Sequence, residues 1–205
     1  MISDKAIARI SLYRRLLMDL HKEGREAIFS HDLAAIAGGS AAQVRRDLMA
    51  IGYSGSPTKG YIIDELVRSI SDFLDCARHQ NVALIGIGNL GRAILAYFTN
   101  RRPNLKIVAA FDNDEHKVNR VIHGCRCYHT DDLEKILQEN DVKLGILTVS
   151  ASGAQGAAEK LVDAGVKGIL NFAPIPLKLP RKIYVENVDM SASIEKVAFF
   201  ARKGK

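Results

Sequence analysis

The sequence predicts an α/β protein of two modules, a small helical one followed by an open parallel sheet with helices on its faces. Three observations carry that expectation. The first 80 residues show helical periodicity broken by glycine clusters. From Val82 onward, short runs of branched apolar residues alternate with amphipathic helical stretches. The first of those runs leads straight into a glycine-spaced turn. A chain of 205 residues, 47% hydrophobic, is long enough for one large or two small domains with a real core, which excludes disorder and small disulfide scaffolds. No stretch approaches the ~18 apolar residues of a membrane span. Met1 to Leu20 mixes charges through its apolar positions, unlike a signal peptide, and Cys76, Cys125 and Cys127 lack disulfide-framework spacing. The expected location is the cytoplasm, away from membranes.

From Lys5 to Leu20, Ile7, Ile10, Tyr13, Leu16, Leu17 and Leu20 recur at helical spacing, while Arg9, Arg14 and Arg15 take other positions. Ser30 is the expected N-cap of a short helix carrying Leu33 and Ile36, ended by Gly38-Gly39. Ser40-Ala-Ala-Gln43 reads as a capping box opening a third helix that buries Val44, Leu48 and Ile51. Gly52-Tyr-Ser-Gly-Ser-Pro-Thr-Lys-Gly60 before Tyr61-Ile62-Ile63 suits a wing hairpin. Asp64 is expected to cap a linking helix with Leu66, Val67, Ile70, Phe73 and Leu74 inward, ending near His79-Gln80. This order predicts a winged helix-turn-helix over residues 1–79 whose third helix projects Gln43, Arg45 and Arg46, with Lys59 in the wing. Such a module binds DNA, but small three-helix modules also bind proteins, and spacing alone leaves both uses open. Charge does not decide it: residues 1–80 hold 11 Lys and Arg against 10 Asp and Glu, and the net +6 is carried mainly by residues 81–205, with 18 against 13.

The second module opens with the apolar run Val82 to Ile87, then Gly86-Ile87-Gly88-Asn89-Leu90-Gly91 and a helical stretch to Phe98. Lys106 to Phe111 is a second strand ending in Asp112, 21 positions after Gly91. Strand, glycine turn, helix, strand and terminal acid form the context of a dinucleotide fingerprint. Gly86 permits the tight turn, Gly88 lets the backbone approach a pyrophosphate, and Gly91 allows close packing of helix on strand, while the helix N-terminus attracts phosphate. Asp112 suits ribose hydroxyls and would repel a 2′-phosphate, so NAD(H) is favoured over NADP(H). Further elements follow: Asp131–Glu139 helix, Leu144–Val149 strand, Gln155–Ala164 helix, Gly168–Asn171 strand, Ile183–Val188 strand. They complete a Rossmann-like parallel sheet over residues 80–188, and ligands bind at the carboxyl ends of such strands. That nominates Thr148-Val149-Ser150 and Asn171-Phe172-Ala-Pro174 as further cofactor walls. Ser191 to Arg202, within a segment 189–205, is a helix whose broad apolar face of Ile194, Val197, Ala198, Phe199 and Phe200 suggests burial against a partner subunit.

The sequence resembles the Rex family of NADH-responsive transcriptional repressors over nearly its whole length. The resemblance is carried by Gln43-Val-Arg-Arg-Asp-Leu48, Gly86-Ile-Gly-Asn-Leu-Gly91, Phe111-Asp112-x-Asp114, Ala164-Gly-Val-Lys-Gly-Ile-Leu-Asn-Phe-Ala-Pro174 and Val185-Glu-Asn-Val-Asp189. It implies a homodimer with a swapped C-terminal helix, bound to double-stranded operator DNA at an inverted repeat when NAD⁺ dominates and released when NADH accumulates. The chain departs from the family pattern at Met49-Ala50, at Pro57 and Lys59 in the wing, and at Met190. Operator sequence is therefore not given by the resemblance.

Tyr97, on the helix after the glycine turn, and Asp189, before the last helix, are the expected nicotinamide-end residues. Arg15 is the expected alternative ion-pair partner for Asp189, the three forming a switch. Competing readings are a small NAD-dependent dehydrogenase and a CoA-ligase-like nucleotide-binding subunit. The first lacks room for a substrate domain and the second leaves the N-terminal module unexplained, so no catalytic residue is expected. His123-x-Cys125-x-Cys127-x-His129 would alternate onto one face of a strand, with its ends about 20 Å apart at about 3.3 Å per residue. All four cannot bind one zinc ion, and no metal site is expected.

Overall fold

The computed structural model describes residues 2–75, 80–98 and 104–203. The chain divides into two compact units, Met1–Arg78 and His79–Lys205.

The first unit runs α1 (Asp4–Lys22), β1 (Ala27–Ile28), α2 (Ser30–Ala37), α3 (Ala41–Ala50), β2 (Tyr61–Ile62) and α4 (Ile63–Leu74). Ser3 caps α1 by accepting from the Ala6 N–H. One core joins Ile10, Tyr13 and Leu17 of α1 to Leu33, Val44, Leu48, Leu66 and Ile70. The predicted periodicities therefore converge on one interior, with β1 and β2 paired antiparallel at its edge. Gly38 ends α2 at φ 68°, a left-handed conformation open to glycine.

Three capping expectations are corrected. Ser30 lies inside α2, Phe29 holds the cap position, and the Ser30 hydroxyl accepts from Arg45 instead. Only half of the capping box forms: Ser40 Oγ accepts from the Gln43 N–H at 3.2 Å, but the Gln43 side chain is drawn away to Asp47. Asp64 sits in the first turn of α4 and pairs with Arg68 one turn on, because β2 runs directly into the helix and leaves Ile62 as the cap. Phe73, expected on the inner side of α4, is 38% exposed, Ile36 of α2 is 49% exposed, and α4 ends at Leu74, with residues 76–79 outside the described residues.

The second unit runs β3 (Gln80–Ile85), α5 (Asn89–Phe98), β4 (Leu105–Asp112), β5 (Val121–Ile122), β6 (Cys125–His129), a short 3₁₀ turn at Thr130–Asp132, α6 (Leu133–Glu139), β7 (Val142–Leu147), α7 (Ala151–Asp163), β8 (Gly168–Asn171), β9 (Tyr184–Asn187) and α8 (Met190–Arg202). The sheet order is β5-β6-β4-β3-β7-β8-β9, parallel throughout except for the β5–β6 pair. The strands alternate between the two faces, with register shifts near Val82 in the pairing of β3 with both neighbours. Ala83, Ile85, Ala109 and Phe111 pack with α6 and α7 on one face, and Val82, Leu84 and Ala110 pack with Ile94 and Leu95 of α5 on the other. The chain leaves β3 for β4 on one side and later returns to its other side as β7, so the carboxyl end of β3 is the topological switch point.

The β5–β6 hairpin is not foreseen by periodicity. Its turn residues His123 and Gly124 both take positive φ, 47° and 79°, as a tight two-residue hairpin requires. His123 thus leaves the strand, and only Cys125, Cys127 and His129 alternate along β6. Both cysteines are free and buried on the α5 face, and burial, aided by Cys127, pushes the Cys125 thiol up to about 11. Among the described residues no cluster of His, Cys, Asp and Glu could hold a metal ion, and no helix is long and apolar enough to cross a membrane.

Candidate functional site

The glycine turn after β3 is built as three separate devices. Gly86 adopts φ 95°, and a Cβ there would run into the Thr148 carbonyl. A Cβ on Gly91 would strike the Gly86 carbonyl oxygen and crowd Thr148 Oγ1, so α5 packs against the turn only because residue 91 has no side chain. Gly88 faces open space, the room a phosphate needs beside the first amides of α5. The Thr148 hydroxyl donates to the Gly86 carbonyl at 2.6 Å, tying the turn to the end of β7.

Asp112 closes the other side. Its Oδ2 accepts from the Ile87 N–H at 2.6 Å and from Lys117 Nζ at 3.1 Å, while Oδ1 accepts from the Asp114 N–H at 3.0 Å. Burial raises the pKa of this carboxyl, but the Asp114 and Ile87 amides and Lys117 outweigh it and hold the group below its usual range. The Ile87 amide is thus spent on Asp112, and the remaining lone pair on Oδ1 is the one available to a ribose hydroxyl.

Between these walls lies a cavity of about 510 Å³, within the size range of cofactor pockets. It brings together Gly86, Gly88, Asp112, Thr148, Val149 and Ser150 from the sequence reading. It adds residues that reading missed: Thr130, Leu133, Gly153, Gly156 and Lys160. The small-residue run Ser150-Ala-Ser-Gly-Ala-Gln-Gly156 at the start of α7 was the available signal, since it lets the helix approach a ligand closely. An open glycine cradle, a rooted acid and an apolar slot fit the adenosine diphosphate half of NAD(H).

Ile87, Asn89, Leu90 and Gly91 of the glycine turn do not line the cavity, and Asn171, Phe172, Tyr97 and Asp189 also lie outside it. Asn171 is fully buried and clasps the end of β8, donating to the Ile175 carbonyl and Asn187 Oδ1 and accepting from the Ala173 N–H. Phe172 packs at the margin of the α5-face core. Tyr97 is 55% exposed on the last turn of α5, its ring edge-on to Phe98. Asp189 caps α8 by accepting from the Ala192 N–H at 2.8 Å.

In the first unit, Arg45 and Arg46 are exposed and diverge. Arg45 reaches Ser30 Oγ at 3.0 Å, toward α2, and Arg46 reaches Gln43 Oε1 and the Ala42 carbonyl, both at 3.4 Å. The wing tip is closed by paired Ser56 and Gly60 backbone bonds, and Ser56 Oγ accepts from the Thr58 and Lys59 amides. That turn presents Lys59 to solvent. Arg15 is exposed on α1.

A family model described as "CoA binding domain" matches residues 77–175, and one described as "Putative DNA-binding protein N-terminus" matches residues 1–48. The redox-sensing transcriptional repressor Rex of Carboxydothermus hydrogenoformans is 39% identical over 98% of this chain and 97% of its own length. That of Syntrophobacter fumaroxidans is 39% identical over 94% of this chain and 92% of its own. Among solved structures, RSP in complex with NAD⁺ and operator DNA is 32% identical with a TM-score of 0.92, covering 99% of this chain and 94% of that one. RSP in complex with NADH is 31% identical with a TM-score of 0.88, covering 99% and 95%.

Proposed function

This chain belongs to the Rex family of redox-sensing transcriptional repressors, and from that membership we propose that it binds operator DNA as a homodimer when NAD⁺ prevails and leaves it when NADH accumulates. The match over 99% of the chain to a Rex-family repressor solved with both NAD⁺ and operator DNA carries this reading. The fit of the glycine turn and Asp112 to a dinucleotide supports it. With the dinucleotide's adenosine end in that cavity, its nicotinamide would supply the signal through its ring, cationic when oxidised and neutral when reduced. The protein's part is to hold the adenosine end on Asp112, Gly86 and Gly88 and to convert ring state into a change of arrangement. A coupling of about 1–3 kcal/mol per site shifts DNA affinity about 5- to 150-fold.

In this reading Gln43, Arg45, Arg46 and Lys59 are the DNA-facing residues, with a two-fold dimer on an inverted repeat. Tyr97, Asp189 and Arg15 form the proposed switch. Dimerisation through α8 is supported by that helix having no buried residue, with Ile194 and Val197 65% and 63% exposed. An apolar groove lined by Val82, Phe98, Ile107, Leu144, Leu170 and Tyr184 on the α5 face of the sheet offers a matching surface. Absence of a catalytic assembly follows the repressor reading, and the cytoplasm is its proposed location.

The test is selection of bound sequences from random DNA with NAD⁺ or NADH present, followed by anisotropy titrations on the selected site. An inverted repeat is expected, bound more weakly with NADH and without turnover of the cofactor. Equal affinity with both forms would overturn redox sensing. In the same assay Asp189→Asn and Arg15→Gln are expected to blunt the NADH response, and an unchanged response would remove them from the switch.

A further inference from the structure

We propose that Asp47 is a positioning residue for sequence readout, holding the Gln43 side chain, and through it Arg46, in one arrangement on the outer face of α3. The inference rests on the DNA-binding reading above. Among the described residues of the first unit, Asp47 is the one buried charged residue, with its side chain 5% exposed. Its carboxylate takes four hydrogen bonds. Oδ2 accepts from Arg9 Nε at 2.7 Å and Tyr13 OH at 3.0 Å, and Oδ1 accepts from Arg9 Nη2 at 2.7 Å and Gln43 Nε2 at 3.0 Å. Arg9 and Tyr13 come from α1 and serve the fold. Gln43 is the partner that leads outward.

Gln43, Arg46 and Asp47 stand at i, i+3 and i+4, so they share one helical stripe. An ionised carboxylate only accepts, which obliges Gln43 to turn its amide nitrogen inward. A guanidinium only donates, which obliges Gln43 to turn Oε1 toward Arg46, 3.4 Å away. Two partners of opposite demand select the same amide orientation, so chemistry, not convention, assigns it. The hydrogen bonds from Arg9, Gln43 and Tyr13 outweigh burial and keep Asp47 ionised at neutral pH, so the clamp persists there. A glutamine ordered before DNA arrives loses less freedom on binding, and one N–H with one lone pair remains for a base edge.

The experiment uses the full-length protein with NAD⁺. Affinities of wild type, Gln43→Ala, Asp47→Asn and the double variant are measured on the selected operator and on a panel of single base-pair changes, alongside thermal melts. Gln43→Ala is expected to flatten discrimination at one base-pair position. Asp47→Asn should flatten the same position about fivefold or more although Gln43 is intact, and the double variant should be no worse than Gln43→Ala. Tyr13→Phe, which leaves the Gln43 bond in place, should lower the melting temperature without changing base preference. Asp47→Asn weakening all sequences alike, or adding fully to Gln43→Ala, would overturn the proposal and leave Asp47 a fold residue. Should Asp47→Asn not fold, side-chain ¹⁵N relaxation of Gln43 in the free wild type decides: a rigid amide is expected, and a freely mobile one overturns it. If the wild type selects no DNA sequence, the repressor reading itself fails, whatever Asp47 does to Gln43.

Discussion

Gly86, Gly88 and Gly91 stand within six positions, yet their substitutions should fail in different ways. Gly91→Ala drives a methyl group into the Gly86 carbonyl and should cost about 1–3 kcal/mol of stability, read by denaturant unfolding. Gly88→Ala meets no protein atom, so the fold should keep its melting temperature while NADH affinity, read by calorimetry, falls tenfold or more. A Gly88→Ala protein that binds NADH normally would move the pyrophosphate away from this turn. Two hydrogen-bonded acids, buried Asp47 and half-buried Asp112, predict a pH response. Asp47 and Asp112 both lie below the ordinary carboxylate value of 3.8 in the folded chain. Their stabilising contribution is therefore complete above that value and lost as pH falls through the lower folded values. Denaturant midpoints should be flat from neutral pH to about 5 and drop below about 4, and Asp47→Asn should lessen that drop. At this scale the glycines were legible because a turn's steric demand is local. Asp47 was not, because an acid on an amphipathic helix with two arginines beside it reads as a solvated position.

At the scale of elements, α8 is the part whose sequence and surroundings disagree most. Its apolar residues repeat with helical spacing, yet Met190, Ile194, Val197, Phe199 and Phe200 are all 44% exposed or more. Burying a Val or Phe side chain contributes about 1.5–3 kcal/mol, so a few such residues suffice to hold a second subunit. The double substitution Val197→Asp with Phe199→Asp should therefore give a monomer in sedimentation velocity, with the circular dichroism of the wild type and weakened operator binding. A dimer that survives both changes would place the interface elsewhere. The helix itself was evident from periodicity. The β5–β6 hairpin was not, since two-residue β5 is too short to show a period and its register comes from a turn, His123-Gly124, that needs positive φ twice.

At the scale of the whole molecule, the charge distribution predicts how DNA binding responds to salt. The first unit is almost neutral, so in the proposed DNA-binding mode a dimer brings about six cations to the DNA, Arg45, Arg46 and Lys59 of each chain. The slope of log Kobs against log salt should then be no steeper than about −5, whereas a basic field would exceed that. Titrations from about 50 to 200 mM salt measure it.

The sequence alone determined the order of the helices and of the central parallel strands, the glycine turn, the acid at the end of β4 and the polar face of α3, because each rests on local periodicity or backbone conformation. It determined the family as well, through runs of residues spread along nearly the whole chain. Only the tertiary structure decided what those pieces face. Arg9 and Asp47 meet across 38 positions, Ile87 gives its amide to Asp112 across 25, and Leu133 and Lys160 close a cavity opened by Gly86. Such pairings depend on which helix packs on which strand, and that is set by the collective burial of side chains on both faces of an element, which no local pattern encodes.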